Sequence, residues 1–342
     1  MNYNNILVIK LSAIGDVIHT LPAVHALRQN NPGAKITWIV EKPSYNLLTN
    51  NPDIDQIIVF EKPKFKTLSG LIHNGPAFTR HLRERRFDLV VDFQGLFKSA
   101  AISLLSGAAN KVGYCDMREL SHLISRPLCG PNSKGHVIER YLDVVRELGG
   151  NVDKIVFPIS ISENEEQRAE ALLSEARINP GEPFVVLVPG TNWATKCWPP
   201  EHYAKLIDLL EEAGYRCVLA GGPAESDIAE QIVKLSSAGP ANLTARTSLK
   251  ELAHIFKRSR AFVGGDTGPM HLAVAVGTPA VTLFGPTDPA RNGPYQGKNV
   301  ILQVDRECKN CWKRRCDKRC LEMIQPFQVF DGVISVMRKR SP

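Results

Sequence analysis

Aromatic residues make up only 7% of this 342-residue chain, and no stretch approaches the ~18 uninterrupted apolar residues that a bilayer span requires. The first scarcity leaves no interleaved aromatic platform for a single-stranded nucleic acid. The second leaves no transmembrane segment. The N-terminus offers no secretory signal either, because the apolar run Ile6–Ile9 is too short for an h-region and Lys10 closes it. The expectation is a cytoplasmic protein. Low-complexity tracts and short internal repeats are also missing. What remains, 43% hydrophobic and 23% charged, excludes a disordered polar chain, a collagen-like repeat and a small disulfide scaffold.

The length suits two domains. The formal net charge is +7 and is unevenly spread. Between Glu61 and Arg86 seven basic residues stand against two acidic ones, and between Arg306 and Arg319 seven again stand against two. A nucleic-acid coating would spread positive charge along the whole chain. Two local patches suit two local anionic partners or two solvated faces.

Apolar runs alternate with helix-period segments, the pattern of βαβ units and a parallel sheet. Ile6–Ile9, Ile36–Val40, Ile57–Phe60 and Leu89–Asp92 read as strands, and Val17–Gln29 as a helix that Pro22 kinks or restarts. Ser162 to Glu165 is a capping-box signature that opens a polar helix. The alternation then resumes with strands Phe184–Val188, Arg216–Ala220, Ala261–Val263 and Ala280–Phe284. The expected organisation is an N-terminal domain over residues 1–158, a C-terminal domain over 159–325, and a terminal helix or tail over 326–342. Ligands of such sheets collect at the carboxyl ends of strands.

The loop Lys10-Leu-Ser-Ala-Ile-Gly15-Asp16 joins the first strand to the first helix, where Gly15 allows backbone amides to approach an anion. It matches neither GxGxxG nor a Walker A loop, which argues against nicotinamide and P-loop enzymes. Asp16 stands where a general base would serve, or a helix-capping carboxylate. In the second half Thr191, Asn192 and Lys196 place hydroxyl, amide and ammonium groups beyond one strand tip, a set suited to a diphosphate. Beyond another, Thr267 and Gly268 present amides at a helix start, Asp266 can accept from sugar hydroxyls, and His271 lies one turn in, as a packed or a working residue.

Four segments together are more specific: Val8 to Pro22, Asp92-Phe-Gln94-Gly95-Leu-Phe-Lys98-Ser99, Lys196-Cys-Trp198-Pro-Pro-Glu201-His202, and Gly265-Asp266-Thr267-Gly268-Pro-Met-His271 with Phe284 to Pro289. In this order they resemble glycosyltransferase family 9, and within it the heptosyltransferase I branch. The resemblance implies an α/β GT-B fold of two Rossmann-like domains facing a cleft. It also implies metal-independent, inverting transfer of a heptose from ADP-heptose to a 3-deoxy-manno-octulosonic acid (Kdo) residue of a lipid A acceptor, with no cofactor. By motif, Asp16 takes the place of the catalytic base; Thr191, Asn192, Lys196, Asp266, Thr267, Gly268 and His271 take the donor site, with Glu225 toward the ribose. Ser12, Lys62, Lys64, Lys66, Gln94, Lys98 and Arg118 become acceptor candidates. Partners would be the donor, the Kdo-bearing lipid and, transiently, the anionic cytoplasmic face of the inner membrane.

Other readings stay open: a family 9 transferase with another donor or acceptor, resembling heptosyltransferase II or an outer-core enzyme, or a non-catalytic GT-B binding protein. Retention of Asp16, Lys196 and Asp266 speaks against the last. Asp53-Ile-Asp55 mimics a DxD metal signature but lies in an Asn-Pro turn. Cys115, Cys129, Cys197 and Cys217 read as reduced thiols. Cys308, Cys311, Cys316 and Cys320, four thiols within thirteen residues, suit free thiols, a structural metal site or disulfides. The basic residues among them offer a contact for anionic lipid.

Overall fold

The computed structural model describes residues 1–191, 193–305 and 307–338. The chain divides into two compact units, Met1–Ser160 and Ile161–Pro342.

In the first unit the order is β1 (Asn5–Ile9), α1 (Ile14–Asn30), β2 (Lys35–Val40), α2 (Lys42–Leu48), β3 (Gln56–Val59), α3 (Leu68–Arg83), β4 (Leu89–Asp92), α4 (Phe97–Leu105), β5 (Asn110–Tyr114), β6 (Arg126–Leu128) and α5 (Val137–Glu147). The six strands are parallel in the order β3-β2-β1-β4-β5-β6. β1 is apolar from Ile6 to Ile9 because helices cover both faces: Leu7 and Ile9 pack with Leu82, Phe87 and Ile102 on the side of α3 and α4. Pro22 does not restart the first helix. α1 runs through it unbroken, since the ring removes a single N–H donor and is itself buried.

The second unit runs α6 (Glu163–Glu175), β7 (Phe184–Val188), α7 (Pro200–Glu212), β8 (Arg216–Leu219), α8 (Ser226–Leu235), β9 (Ala241–Asn242), α9 (Leu249–Arg258), β10 (Ala261–Gly265), α10 (Gly268–Ala275), β11 (Ala280–Phe284), α11 (Pro289–Asn292), β12 (Val300–Gln303) and α12 (Pro326–Arg338). Its parallel order is β12-β11-β10-β7-β8-β9. The capping box is realised at α6, where Ser162 N donates to Glu165 Oε2 at 2.8 Å. Val329, Val333 and Val336 of α12 are buried with Val281 and Leu283 of β11, so this last helix is part of the second core.

Each sheet reverses its direction of progression between two neighbouring central strands, β1 and β4 in the first unit, β7 and β10 in the second. At such a point the flanking crossovers leave on opposite sides and open a crevice outside the carboxyl ends of the strands. Four loops therefore matter most: those after β1, β4, β7 and β10.

Candidate functional site

In the first unit the loop after β1 is held by the loop after β4. Gln94 Oε1 accepts from the backbone N–H groups of Leu11 and Ser12, at 3.0 and 3.2 Å. Gln94 is held in turn by Asp92, whose Oδ1 accepts from the N–H groups of Gln94 and Gly95 at 2.9 Å and whose Oδ2 accepts from Ser99 Oγ at 2.9 Å. Asp92 is fully buried, and burial pushes its pKa up to about 6 against these hydrogen bonds and the Lys10 charge. The Lys10 ammonium donates to the Phe93 carbonyl at 3.0 Å and to the Tyr141 hydroxyl at 2.8 Å, so the opening lysine is a strut of the loop. Asp16 stands half-buried in the first turn of α1, and its Oδ2 accepts from Ala13 N at 3.3 Å. That long bond is the capping contact, and it engages one oxygen of the carboxylate.

The acceptor candidates are not gathered into one constellation. Ser12 and Gln94 meet at the loop after β1, but through the Ser12 amide, so the Gln94 carbonyl oxygen serves the backbone and is not free for a ligand. Lys98 is bound to Glu41 Oε1 at 2.8 Å. Lys64 pairs with Glu61, while Lys62, Lys66 and Arg118 are exposed. Asp53 accepts from His25 Nδ1 at 2.8 Å, and Asp55 from Arg28 at 2.5 Å and Ile36 N at 2.7 Å, which makes the DxD look-alike a structural turn.

The second unit's centre is electrostatic. Lys196 Nζ donates to Asp266 Oδ2 at 2.6 Å and to the Asp266 carbonyl at 3.3 Å, and His271 Nε2 lies 3.5 Å from Asp266 Oδ1. Burial by itself would raise the Asp266 pKa; the His271 hydrogen bond and the Lys196 charge outweigh it and hold the carboxyl well below the usual range. Lys196 also lies 4.4 Å over the Trp193 ring. Thr267 N-caps α10, leaving its buried Oγ1 with no hydrogen-bond partner among the described residues, and Gly268 opens the helix. Thr191 Oγ1 closes a local turn onto Trp193, donating to its carbonyl at 2.8 Å. Asn192 lies outside the described residues.

Glycines fix the approach of Glu225 to this crevice. Its Oε2 accepts from Gly222 N at 2.7 Å, and a Cβ at Gly190 would stand 1.9 Å from its Cγ, so only glycine after β7 admits the side chain.

The sequence left some groups unread. Thr287, after β11, has a buried Oγ1 without a partner among the described residues. Arg314 Cζ lies 5.1 Å from the Trp193 ring centroid, and Thr195 Oγ1 donates to the Lys313 carbonyl at 2.7 Å. Trp312 N donates to the Pro286 carbonyl at 2.8 Å. Trp312 and Lys313 of the cysteine-rich segment are thus tied to the loops after β11 and β7, contacts that nothing in its composition signals. Arg306 lies outside the described residues. None of Cys308, Cys311, Cys316 and Cys320 is in a disulfide, and among the described residues no three His, Cys, Asp or Glu side chains are gathered to hold a metal.

One expectation is corrected. Cys115 and Cys129 are joined in a disulfide with Cα atoms 4.7 Å apart, because each follows the last residue of a paired strand: Tyr114 of β5 is in register with Leu128 of β6. Cys197 and Cys217 are free.

Comparison with known proteins follows the same lines. The family model for glycosyltransferase family 9 (heptosyltransferase) matches residues 76–322. Lipopolysaccharide heptosyltransferase 1 of Pseudomonas aeruginosa is 33% identical over 323 residues, 91% of this chain and 87% of that one. Lipopolysaccharide heptosyltransferase 3 of Escherichia coli is 30% identical over 287 residues, 80% and 81% of the two chains. The E. coli heptosyltransferase WaaC, solved with ADP, is 25% identical and superposes with a TM-score of 0.76 over 97% of this chain and 99% of that one. The two Rossmann-like units are those of a GT-B fold.

Proposed function

The chain belongs to glycosyltransferase family 9, and from that premise we propose that it transfers a heptose from ADP-heptose to a Kdo residue of the lipopolysaccharide inner core, with inversion. The observation that carries this reading is the Lys196–Asp266–His271 cluster beside the start of α10, at the switch point of the second sheet. A cation and helix-start amides are what a departing nucleoside diphosphate needs, since negative charge develops there in the transition state.

In the proposed mechanism Lys196 and the amides of Thr267 and Gly268 receive the diphosphate, Asp266 and His271 orient the lysine and meet sugar hydroxyls, and Glu225 meets the ribose. Asp16 removes the proton of the acceptor hydroxyl as that oxygen attacks the anomeric carbon and the carbon–oxygen bond to ADP breaks. One displacement with one base inverts the centre. Lys62, Lys66 and Arg118 are the acceptor-side cations for Kdo carboxylates and lipid phosphates; Gln94 positions the Asp16 loop. Arg314 is assigned to the donor loop, through Trp193. The lysine and the helix start supply the charge stabilisation, so chelation with EDTA is expected to leave turnover unchanged. The lipid-borne acceptor implies an anionic membrane surface as a transient partner.

A mass-resolved product assay with ADP-heptose and defined Kdo-lipid A acceptors tests the reading. One heptose added per Kdo-lipid A with release of ADP supports it. Transfer only to acceptors that already carry heptose would overturn the Kdo assignment and favour the second reading, a later core step, which the likeness to a heptosyltransferase 3 motivates.

A further inference from the structure

We propose that the N-terminal half of α3 is a membrane-docking face that lays its apolar side chains into an anionic bilayer surface. The inference rests on the reading of a lipid-borne acceptor and adds the surface that meets the lipid.

The apolar stripe of α3 is longer than the core it serves. Leu68, Leu71, Ile72, Phe78 and Leu82 recur at helical spacing along one face. At the C-terminal end Leu82 is fully buried and Phe78 packs against Phe60 and Phe65, with ring centroids at 5.9 and 5.3 Å. At the N-terminal end the stripe is open to solvent: Leu68 is 74% exposed, Leu71 49% and Ile72 69%. Isolated exposed leucines need no explanation, but three adjacent on one helix face form a patch.

Its surroundings select the occupant. α3 contains no carboxylate, and the turn leading into it carries Lys62, Lys64 and Lys66. Glu61 engages Lys64, while Lys62 and Lys66 have no carboxylate partner among the described residues. An apolar face rimmed by lysines, on a helix of low overall hydrophobicity, is the chemistry of an interfacial helix at an anionic leaflet. Exposed Phe97, Leu120 and Leu123 follow β4 and β5 at the same carboxyl end of the parallel sheet from which α3 sets out. That is also the end bearing the Asp16 loop, so docking there would bring a lipid-anchored hydroxyl to the base without extraction from the bilayer. In the second basic segment, Trp312, Lys313 and Arg314 are already engaged by Pro286, Thr195 and Trp193.

The test is sedimentation of the full chain with phosphatidylcholine vesicles, with and without phosphatidylglycerol. The wild-type chain should partition onto the anionic vesicles and not the neutral ones. Leu68→Gln, Leu71→Gln and Ile72→Gln combined, all at exposed helical positions, should lower that partition at least tenfold with an unchanged thermal unfolding curve. Ile72→Trp should raise it severalfold. The proposal is overturned if the triple variant partitions as the wild type does, if neutral vesicles bind equally, or if the triple change dissolves a dimer while leaving vesicle binding intact. Vesicle binding needs no turnover, so loss of heptosyl transfer in the product assay would count against the functional reading and leave this one standing.

Discussion

The two switch-point crevices hold their loops by opposite physics. In the first unit a buried carboxylate, Asp92, accepts from the neutral N–H groups of Gln94 and Gly95 and the Ser99 hydroxyl, and burial outweighs these and the more weakly acting Lys10 charge, so its pKa is pushed up to about 6. In the second, Asp266 is buried nearly as deeply but lies against Lys196 and His271, and its pKa is driven down. Burial acts the same way on both; the neighbours decide the sign. The difference matches the proposed division of labour. A base must be positioned without being neutralised by a nearby cation, whereas a leaving-group site must concentrate positive charge.

The largest expected effect separates the two. Asp16→Asn keeps the shape of the first loop and removes its base, so kcat should fall by about 10²–10⁴, the usual contribution of a positioned general base. Near-normal turnover would return Asp16 to helix capping through Ala13.

Breaking the second crevice should cost stability as well as rate. Lys196→Ala leaves Asp266 buried without its ammonium partner, a loss of about 3 kcal/mol by the measure of broken buried pairs. Urea unfolding at pH 7 checks it. An unchanged midpoint would mean that His271 alone satisfies the carboxylate.

The opposite pKa directions give opposite acid responses. Asp92 is protonated in the folded state up to about pH 6 and ionised in the unfolded chain above about pH 4, so its contribution to stability falls as pH rises across that window and is flat beyond it. Asp92→Asn removes the titration and can still accept from the two backbone amides. The stability difference between this variant and the wild type should shift by about 2 kcal/mol in the variant's favour between pH 4 and pH 7. A pH-independent difference would contradict the burial assignment. Asp266 works the other way: its contribution is present above about pH 4 and lost as pH falls below that.

The smallest effect tests positioning. Gln94→Ala removes two hydrogen bonds to the Asp16 loop, worth about 1–2 kcal/mol together, and should lower kcat by about tenfold or less while sparing donor KM. Gln94→Glu, which preserves the acceptor oxygen, should restore most of the rate.

Much of this architecture was legible from the residues. β1, β4, β7, β10 and β11 are short, largely apolar runs closed by Gly, Pro or polar residues, and their exits carry the four motifs. The α/β class and the family followed from those segments and agree with the fold and the comparisons. What was hidden depended on partners distant in sequence. Lys98 looked free because Glu41 lies 57 positions away. The Cys115–Cys129 bridge required β5 and β6 to be neighbours, and Asn110–Tyr114 and Arg126–Leu128 carry too few apolar residues to read as strands. Gln94 looked like a ligand group for the same reason: a polar side chain at a strand tip gives no sign that a neighbouring loop has already claimed it.

The division of labour between the two crevices is tested most directly by calorimetric titration of ADP into the wild type, Asp16→Asn and Lys196→Ala side by side. Asp16→Asn should bind ADP with wild-type affinity, and Lys196→Ala at least tenfold more weakly, as expected for loss of a charged hydrogen-bond donor. Weakened ADP binding in Asp16→Asn, or wild-type binding in Lys196→Ala, would contradict it.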